Sequence, residues 1–597
     1  MVDTEEWLTG STNSTETSTH QPPPGSSNAV DSNTPLPETN TAASESSLPG
    51  KTSPACDTQS SSSVRGFLTN ADDNDDDILR LGAADVEDIE VALQRIFELS
   101  LEAASLGDPV SQYRIGLFHK KGLGIPQDYA RAMRWFLKAA ENYYVRAQFE
   151  IGELYYFGRG ISEDNARAME WYLKAAEQGH GSARCRVGIL YKDGQGVPQD
   201  YVKAMTWLLK AASDEHPFAQ YEIGELYFHG QGVLVDYVKA MEWYLKAAEQ
   251  EHPAAQYIVG FLYHQSKGVE QDYSKAIAWF LKAALQGHTL SQYSVGLLYQ
   301  NGHGVQKDYT QAMKWFISAA ESNHASSQYE IGELYFYGHG VSEDYAEAMK
   351  WYLKAAGQGH AAAQFSLGVL YHHGLGVPKD TTQAMEWYRK AAGQDYVAAQ
   401  YSLGILYHRG LGVPKDITQA LEWYRKAAAQ GHSASQYHLG VLYHEIPGTQ
   451  QDHSKAMAWL LKAALQGLTS SQYSVGLLYK SGHGVPKDYT QAMEWFVKAA
   501  ESNHSSSQYE IGELFFYGHG VSKDNAKAME WYLKAAGQGH AAAQFSLGTL
   551  YHRGLGVPKD TTQAFGWYSK AANQDHEEAK RQQFSEPYGP LTWLRQV

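Results

Sequence analysis

Apolar residues recur along this chain in two alternating helical patterns. In one, Ala147, Ile151, Leu154 and Tyr155 follow the i, i+4, i+7, i+8 spacing of a single helix face. In the other, Tyr129, Ala132, Met133 and Phe136 step by i, i+3, i+4, i+7, with Ala140 a turn further on. The stretch from Ala147 to His180, AQFEIGELYYFGRGISEDNARAMEWYLKAAEQGH, therefore predicts two short helices joined by a glycine-rich turn. Gly158 suits the left-handed position that ends the first helix. Asp164 is placed to cap the second. The connection after it, Glu177 to His180, is short enough to force antiparallel neighbours.

The pair returns with an unbroken period of 36, carried by mid-helix glycines from Gly116 to Gly548 and tryptophans from Trp135 to Trp567. Thirteen copies fill residues 109–576, which predicts a stacked array in place of one globular core. A glycine in mid-helix costs about 1 kcal/mol against alanine. Its recurrence predicts that a partner helix comes too close for a β-carbon. Two copies depart from the pattern: Ser266 and Ile446 stand where the first turn glycine belongs, 180 residues apart, and fraying is expected at both. ESNHASSQYEIGELYFYGHG at 321 also returns as ESNHSSSQYEIGELFFYGHG at 501, so a block of five repeats was duplicated.

Composition changes the picture mainly outside the array. Residues 1–75 are rich in Ser, Thr, Pro and Asn and read as a disordered acidic tail. Ser53-Pro54, Thr34-Pro35 and the sequon at Asn13 fall in it and read as solvated linker. Residues 76–108 read as a capping helix, a degenerate second helix that shields repeat one. Residues 577–597 read as a C-terminal cap and tail. Of the net charge of -17, the first 80 residues carry -10 and residues 81–107 a further -5. A near-neutral array argues against a nucleic-acid surface. Cys56 and Cys185 cannot make a repeating disulfide framework. No basic-then-apolar leader opens the chain and no run of 18 apolar residues occurs, so a cytoplasmic protein without a membrane span is expected, with the nucleus left open.

Catalytic signatures are missing. Gly50-Lys51-Thr52 has Glu45 where a phosphate loop needs glycine, and no strand precedes any G-x-G turn. Ten histidines, from His180 to His576, recur in the turns between repeats. Helices stack about 8–10 Å apart, whereas ligands must lie about 2 Å from one zinc ion. Equivalent histidines therefore cannot converge, and a structural turn role is expected for them. His372, His373 and His408 lie closer together but also read as structural. No catalytic residue, metal site or cofactor is expected.

The stretch from Ala398 to Asp416, AAQYSLGILYHRGLGVPKD, followed by Gln419-Ala420-Leu421-Glu422-Trp423-Tyr424, closely resembles the Sel-1-like repeat (SLR). The resemblance implies an all-α, α/α superhelical solenoid of the tetratricopeptide-like kind. It also implies a non-enzymatic scaffold or adaptor that binds protein or peptide partners through its concave groove. An alternative is a regulatory subunit of an enzyme complex, of the chitin-synthase-activator or ER-associated-degradation type. RNA binding, by analogy with pentatricopeptide arrays, is a further one.

Counting from each mid-helix glycine as zero, positions -2, +1 and +5 lie within about 60° of one another on the helical wheel. Repeats two, four, seven and twelve carry glutamate at the first two: Glu150 and Glu153, Glu222 and Glu225, Glu330 and Glu333, Glu510 and Glu513. Phe157, His229, Tyr337 and Tyr517 follow at +5. One reading is an acidic–aromatic surface for a partner segment carrying Lys or Arg beside apolar residues. The other is a solvated helix face.

Overall fold

The computed structural model describes residues 86–445 and 452–585. The tail over residues 1–75 and the turn at Ile446 fall outside the described residues. Within them lie twenty-eight α-helices and no strand. They divide into two compact units. One runs to Leu334 and includes Gly338–Ser342; the other takes Tyr335–Tyr337 and continues from Glu343. Both are built from the same helix pair.

In the N-terminal unit, repeat four shows how the pair is made. Its first helix, Pro217–His229, ends on Gly230 in the left-handed conformation (φ 68°), whose N–H donates to the Leu226 carbonyl. Its second helix, Tyr237–Glu249, starts on Asp236, whose carboxylate accepts the Lys239 N–H at 3.0 Å. Gly158 and Asp164 fill the same two roles in repeat two, as their sequence positions imply. The core forms between repeats. Ala240, Met241, Tyr244, Ala247 and Ala248 of one second helix bury against Ala255, Val259 and Leu262 of the next first helix, Pro253–Gln265. The C-terminal unit repeats this with Ala528, Tyr532, Ala535 and Ala536 against Ala543, Leu547 and Leu550. One repeat alone cannot cover its apolar face, so the array is cooperative by construction.

Close approach within a pair explains the recurrent glycine. A β-carbon on Gly224 would stand 2.6 Å from the Tyr244 ring. One on Gly512 would stand 2.5 Å from Tyr532, and one on Gly440 2.4 Å from Leu460. Ser266 keeps the turn that glycine makes elsewhere. It adopts φ 57° and donates its hydroxyl to the Val269 carbonyl at 3.3 Å. The sequence departure at repeat five is thus absorbed as local backbone strain, without a new turn geometry.

Both ends of the array are covered by further helices. Val86–Ser105 places Leu93 against Phe118 and Leu123 of repeat one. Glu577–Ser585 buries Ala579 against Ala571 and Ala572.

Two substitutions of one kind should have opposite signs. Gly224→Ala gains about 1 kcal/mol of helix propensity but overpacks the Tyr244 contact at about 1–3 kcal/mol, so a net loss of stability is expected. Gly566, exposed in the helix Thr561–Ala572 with nothing within 4 Å of its would-be β-carbon, should gain up to about 1 kcal/mol as alanine. Chemical denaturation of both variants checks the signs. Ser266→Gly should slow amide exchange at its turn, because a non-glycine residue there costs about 1–2 kcal/mol.

Candidate functional site

The eight glutamates singled out by sequence do not form an open acidic surface. Each acid that pairs does so with another residue of the chain. At position +1 the partner lies 19 residues on. The Tyr172 hydroxyl donates to Glu153 at 2.7 Å, Tyr244 to Glu225 at 2.6 Å and Tyr532 to Glu513 at 2.6 Å. These are the rings that lie over the glycines, so their hydroxyls are buried and need an acceptor. The reason shows in the other repeats. Where the ring position holds Phe136, Phe280, Phe316 or Phe496, position +1 is Leu117, Phe261, Leu297 or Leu477. Thr549 faces Tyr568 at 3.4 Å.

At position -2 the partner lies 30 residues back, on the first helix of the preceding repeat. Lys120 pairs with Glu150 and Lys480 with Glu510. Lys192 meets Glu222 at 2.6 Å. Repeat seven differs: Gln300 replaces the lysine and donates to Glu330 at 3.2 Å. Glu153 gains a second partner in Arg186, at 3.0 Å. Exposure follows the pairing: Glu153 retains 8%, Glu222 6% and Glu510 9% of its surface. Glu333 is half-buried on the same helix as Glu330. This corrects both sequence readings at the carboxylates, since each placed them toward solvent. The wheel gave their direction, but that direction points at the neighbouring repeat.

Position +5 behaves differently. Tyr337 and Tyr517 are 37% and 58% exposed. His229 is partly exposed and lies 3.5 Å from Glu225. Phe157 is half-buried, with the guanidinium groups of Arg159 and Arg186 over its ring. Two of the candidates, Glu513 and Tyr517, come together on the wall of a cavity of about 490 Å³ in the C-terminal unit, shared with His444, Lys480, His483 and His519.

Electrostatics separates the acid pairs. Burial pushes the Glu222 carboxyl up and the Lys192 ammonium down, and contact between the two opposes both shifts; for Lys192 the contact wins. Burial and the nearby Glu333 push Glu330 up to about 7, against only the Gln300 amide.

The Sel1 repeat family model matches residues 109–576 as thirteen consecutive segments, from 109–144 to 541–576. The chain belongs to the Sel1 repeat family. Among solved structures it is similar to a protective antigen of uropathogenic Escherichia coli strains displaying an SLR fold. That match has 32% identity over 82% of this chain and 97% of the other, at a TM-score of 0.54. A Sel1 repeat protein from Oxalobacter formigenes matches at 30% identity over 60% of this chain and 98% of its own, with a TM-score of 0.42. No curated protein matches. Sel1 repeat solenoids are generally protein-interaction scaffolds and typically non-catalytic. No helix among the described residues is long and apolar enough to cross a membrane.

The turn histidines of these Sel1 repeats cap helices. His252 Nδ1 accepts the Ala255 N–H at 3.1 Å while its ring stacks on Tyr221 at 5.0 Å. His180, His288, His324, His432, His504 and His540 cap in the same way. The cap needs a bare Nδ1, which exists only on the neutral ring. Burial, helped by His288 and His216, lowers His252 to about 4; burial lowers His288 to about 4. His372 and His373 lie edge to face at 4.8 Å. Among the described residues no three His, Cys, Asp or Glu side chains are placed to share a metal ion.

Three measurements follow from these contacts. Glu222→Gln should destabilise by about 1–3 kcal/mol, since it leaves Lys192 without its counter-charge. Glu330→Gln should do the opposite near neutral pH. A carboxyl raised in the fold has its full stability below its unfolded value and loses it as pH rises through about 7. The gain should therefore appear in urea melts at pH 7.5 and vanish at pH 4. For the caps the sign reverses. A depressed histidine contributes stability above about 6.5 that is lost as pH falls toward about 4. The array should lose melting temperature over that window, and His252→Asn, which can cap without titrating, should lose less.

Proposed function

We propose that this chain is a non-enzymatic scaffold that binds an extended protein segment along its first helices. One observation carries the reading. At position +5 the side chains of Tyr337 and Tyr517 stand exposed, on the helix frame whose acids are locked into the chain's own contacts. Exposed aromatics on a rigid support lose little entropy on binding and supply most of the energy where they occur. His229 and Phe157 extend the same position to repeats four and two.

The paired glutamates act as support. Glu153, Glu225 and Glu513 fix the tyrosines beneath, and Glu150, Glu222 and Glu510 tie one first helix to the next. A basic–apolar partner segment therefore gains little from its charges and most of its affinity from its apolar residues. Exposed ion pairs are worth about 0–1 kcal/mol in any case.

The test uses a segment selected by peptide display on the full chain. Tyr517→Ala should weaken its binding by roughly tenfold or more, as a residue worth over about 1.4 kcal/mol would. Tyr143→Ala, which removes a 77% exposed aromatic from an inter-repeat turn, should leave binding unchanged. Equal effects of the two substitutions would remove the +5 positions from the contact. Loss of affinity mainly with added salt would return the role to the carboxylates.

A further inference from the structure

Repeat ten carries a histidine cluster that the repeat pattern does not require. Position +4 of its first helix, Ser433–Glu445, is His444. The first residue of its second helix, His453–Leu465, is His453, where the sister repeats carry Tyr237, Tyr273, Tyr309 and Tyr489. The turn of the next repeat supplies His483, whose ring stacks on His453 at 5.0 Å and 13°. Its distance to the His444 ring is 5.7 Å. Elsewhere the same turn histidine stacks on tyrosine, as His303 does on Tyr273 at 4.7 Å and His519 on Tyr489 at 4.6 Å. One exchange, tyrosine for histidine at position 453, creates the cluster.

Its geometry is that of a chelate. His444 Nδ1 and His453 Nδ1 lie 3.1 Å apart. Two imidazole nitrogens each about 2.0–2.1 Å from one ion, at angles between 90° and tetrahedral, stand about 2.9–3.4 Å apart. We propose that His444 and His453 bind one late first-row divalent cation, of the zinc, nickel or copper class, through their Nδ1 atoms. Imidazole suits those ions. Two nitrogens leave the remaining coordination positions to water, for which the cavity beside His444 and His483 has room. Burial, with His453 and His483 nearby, lowers the His444 pKa and favours the neutral ring that a metal needs. The adjacent carboxylate of Asp452 is already engaged, accepting the Lys455 N–H at 2.9 Å and pairing with its ammonium at 2.9 Å.

Repeat five, the duplicated counterpart, is a built-in control. There His264 Nδ1 meets the Gln265 amide at 3.2 Å, and Tyr273 stands where His453 does. The pair in repeat ten does not depend on the partner-binding role proposed above.

The experiment titrates Ni²⁺ into the full chain by calorimetry, alongside His453→Tyr and His444→Phe. Both replacements are residues that sister repeats carry at the same positions, as Tyr273 and Phe228 do. Circular dichroism confirms that each variant folds. The tightest class should hold one ion per wild-type chain and weaken at least tenfold in both variants. His264→Phe should leave it unchanged. If all four proteins bind Ni²⁺ alike, or if wild type shows no saturable class, the contact is a shared proton only and the proposal fails.

Discussion

In each helix pair a side chain of the second helix lies directly on the backbone of the first, at a residue that has no β-carbon. The Tyr244 ring on Gly224 is one instance and Leu460 on Gly440 another. This contact sets how closely the two helices pack. The alanines of the second helix then meet the following repeat, and the inter-repeat core closes around them. Because the separation is fixed by a missing atom, every repeat has the same dimensions. Thirteen copies can then run without insertion.

The same contact creates the chemical demand met at position +1. A tyrosine seated on the glycine buries its hydroxyl, which must find an acceptor or lose about 1–3 kcal/mol. Glu153, Glu225 and Glu513 are those acceptors. Repeats with phenylalanine or leucine on the glycine place an apolar residue there. Exceptions exist: the buried Tyr424 hydroxyl, facing Ile405, has no hydrogen-bond partner. The glutamates at -2 answer a second demand, the joining of consecutive first helices, with lysine across the gap in three of the four cases.

Much of this was legible in the sequence. The helix pair, the left-handed turn glycine, the aspartate cap and the crowding at Gly224 all follow from periodicity and local propensity, which act within one helix or one turn. The acid pairs were misread because a wheel describes a single helix and carries no account of what stands opposite. Glu222 looks solvent-facing on its own helix, yet the neighbouring first helix brings Lys192 over it. A signal was present: residues at separations of 19 and 30 vary together across the thirteen copies, glutamate with tyrosine and glutamate with lysine. Likewise, the exchange of Tyr273 for His453 was visible, but only the fold brings His444 and His483 beside it.

The claim that most of the account depends on is that the +1 glutamates serve the buried tyrosines. A double-mutant cycle on Tyr244→Phe and Glu225→Leu measures it directly, because that pair of residue types already occurs at Phe316 and Leu297 of a sister repeat. The account predicts that the double variant is more stable than the sum of the single losses requires, with a coupling of about 0.5–3 kcal/mol. Additive losses, with no coupling beyond experimental error, would contradict it and return the carboxylates to the surface chemistry of the molecule.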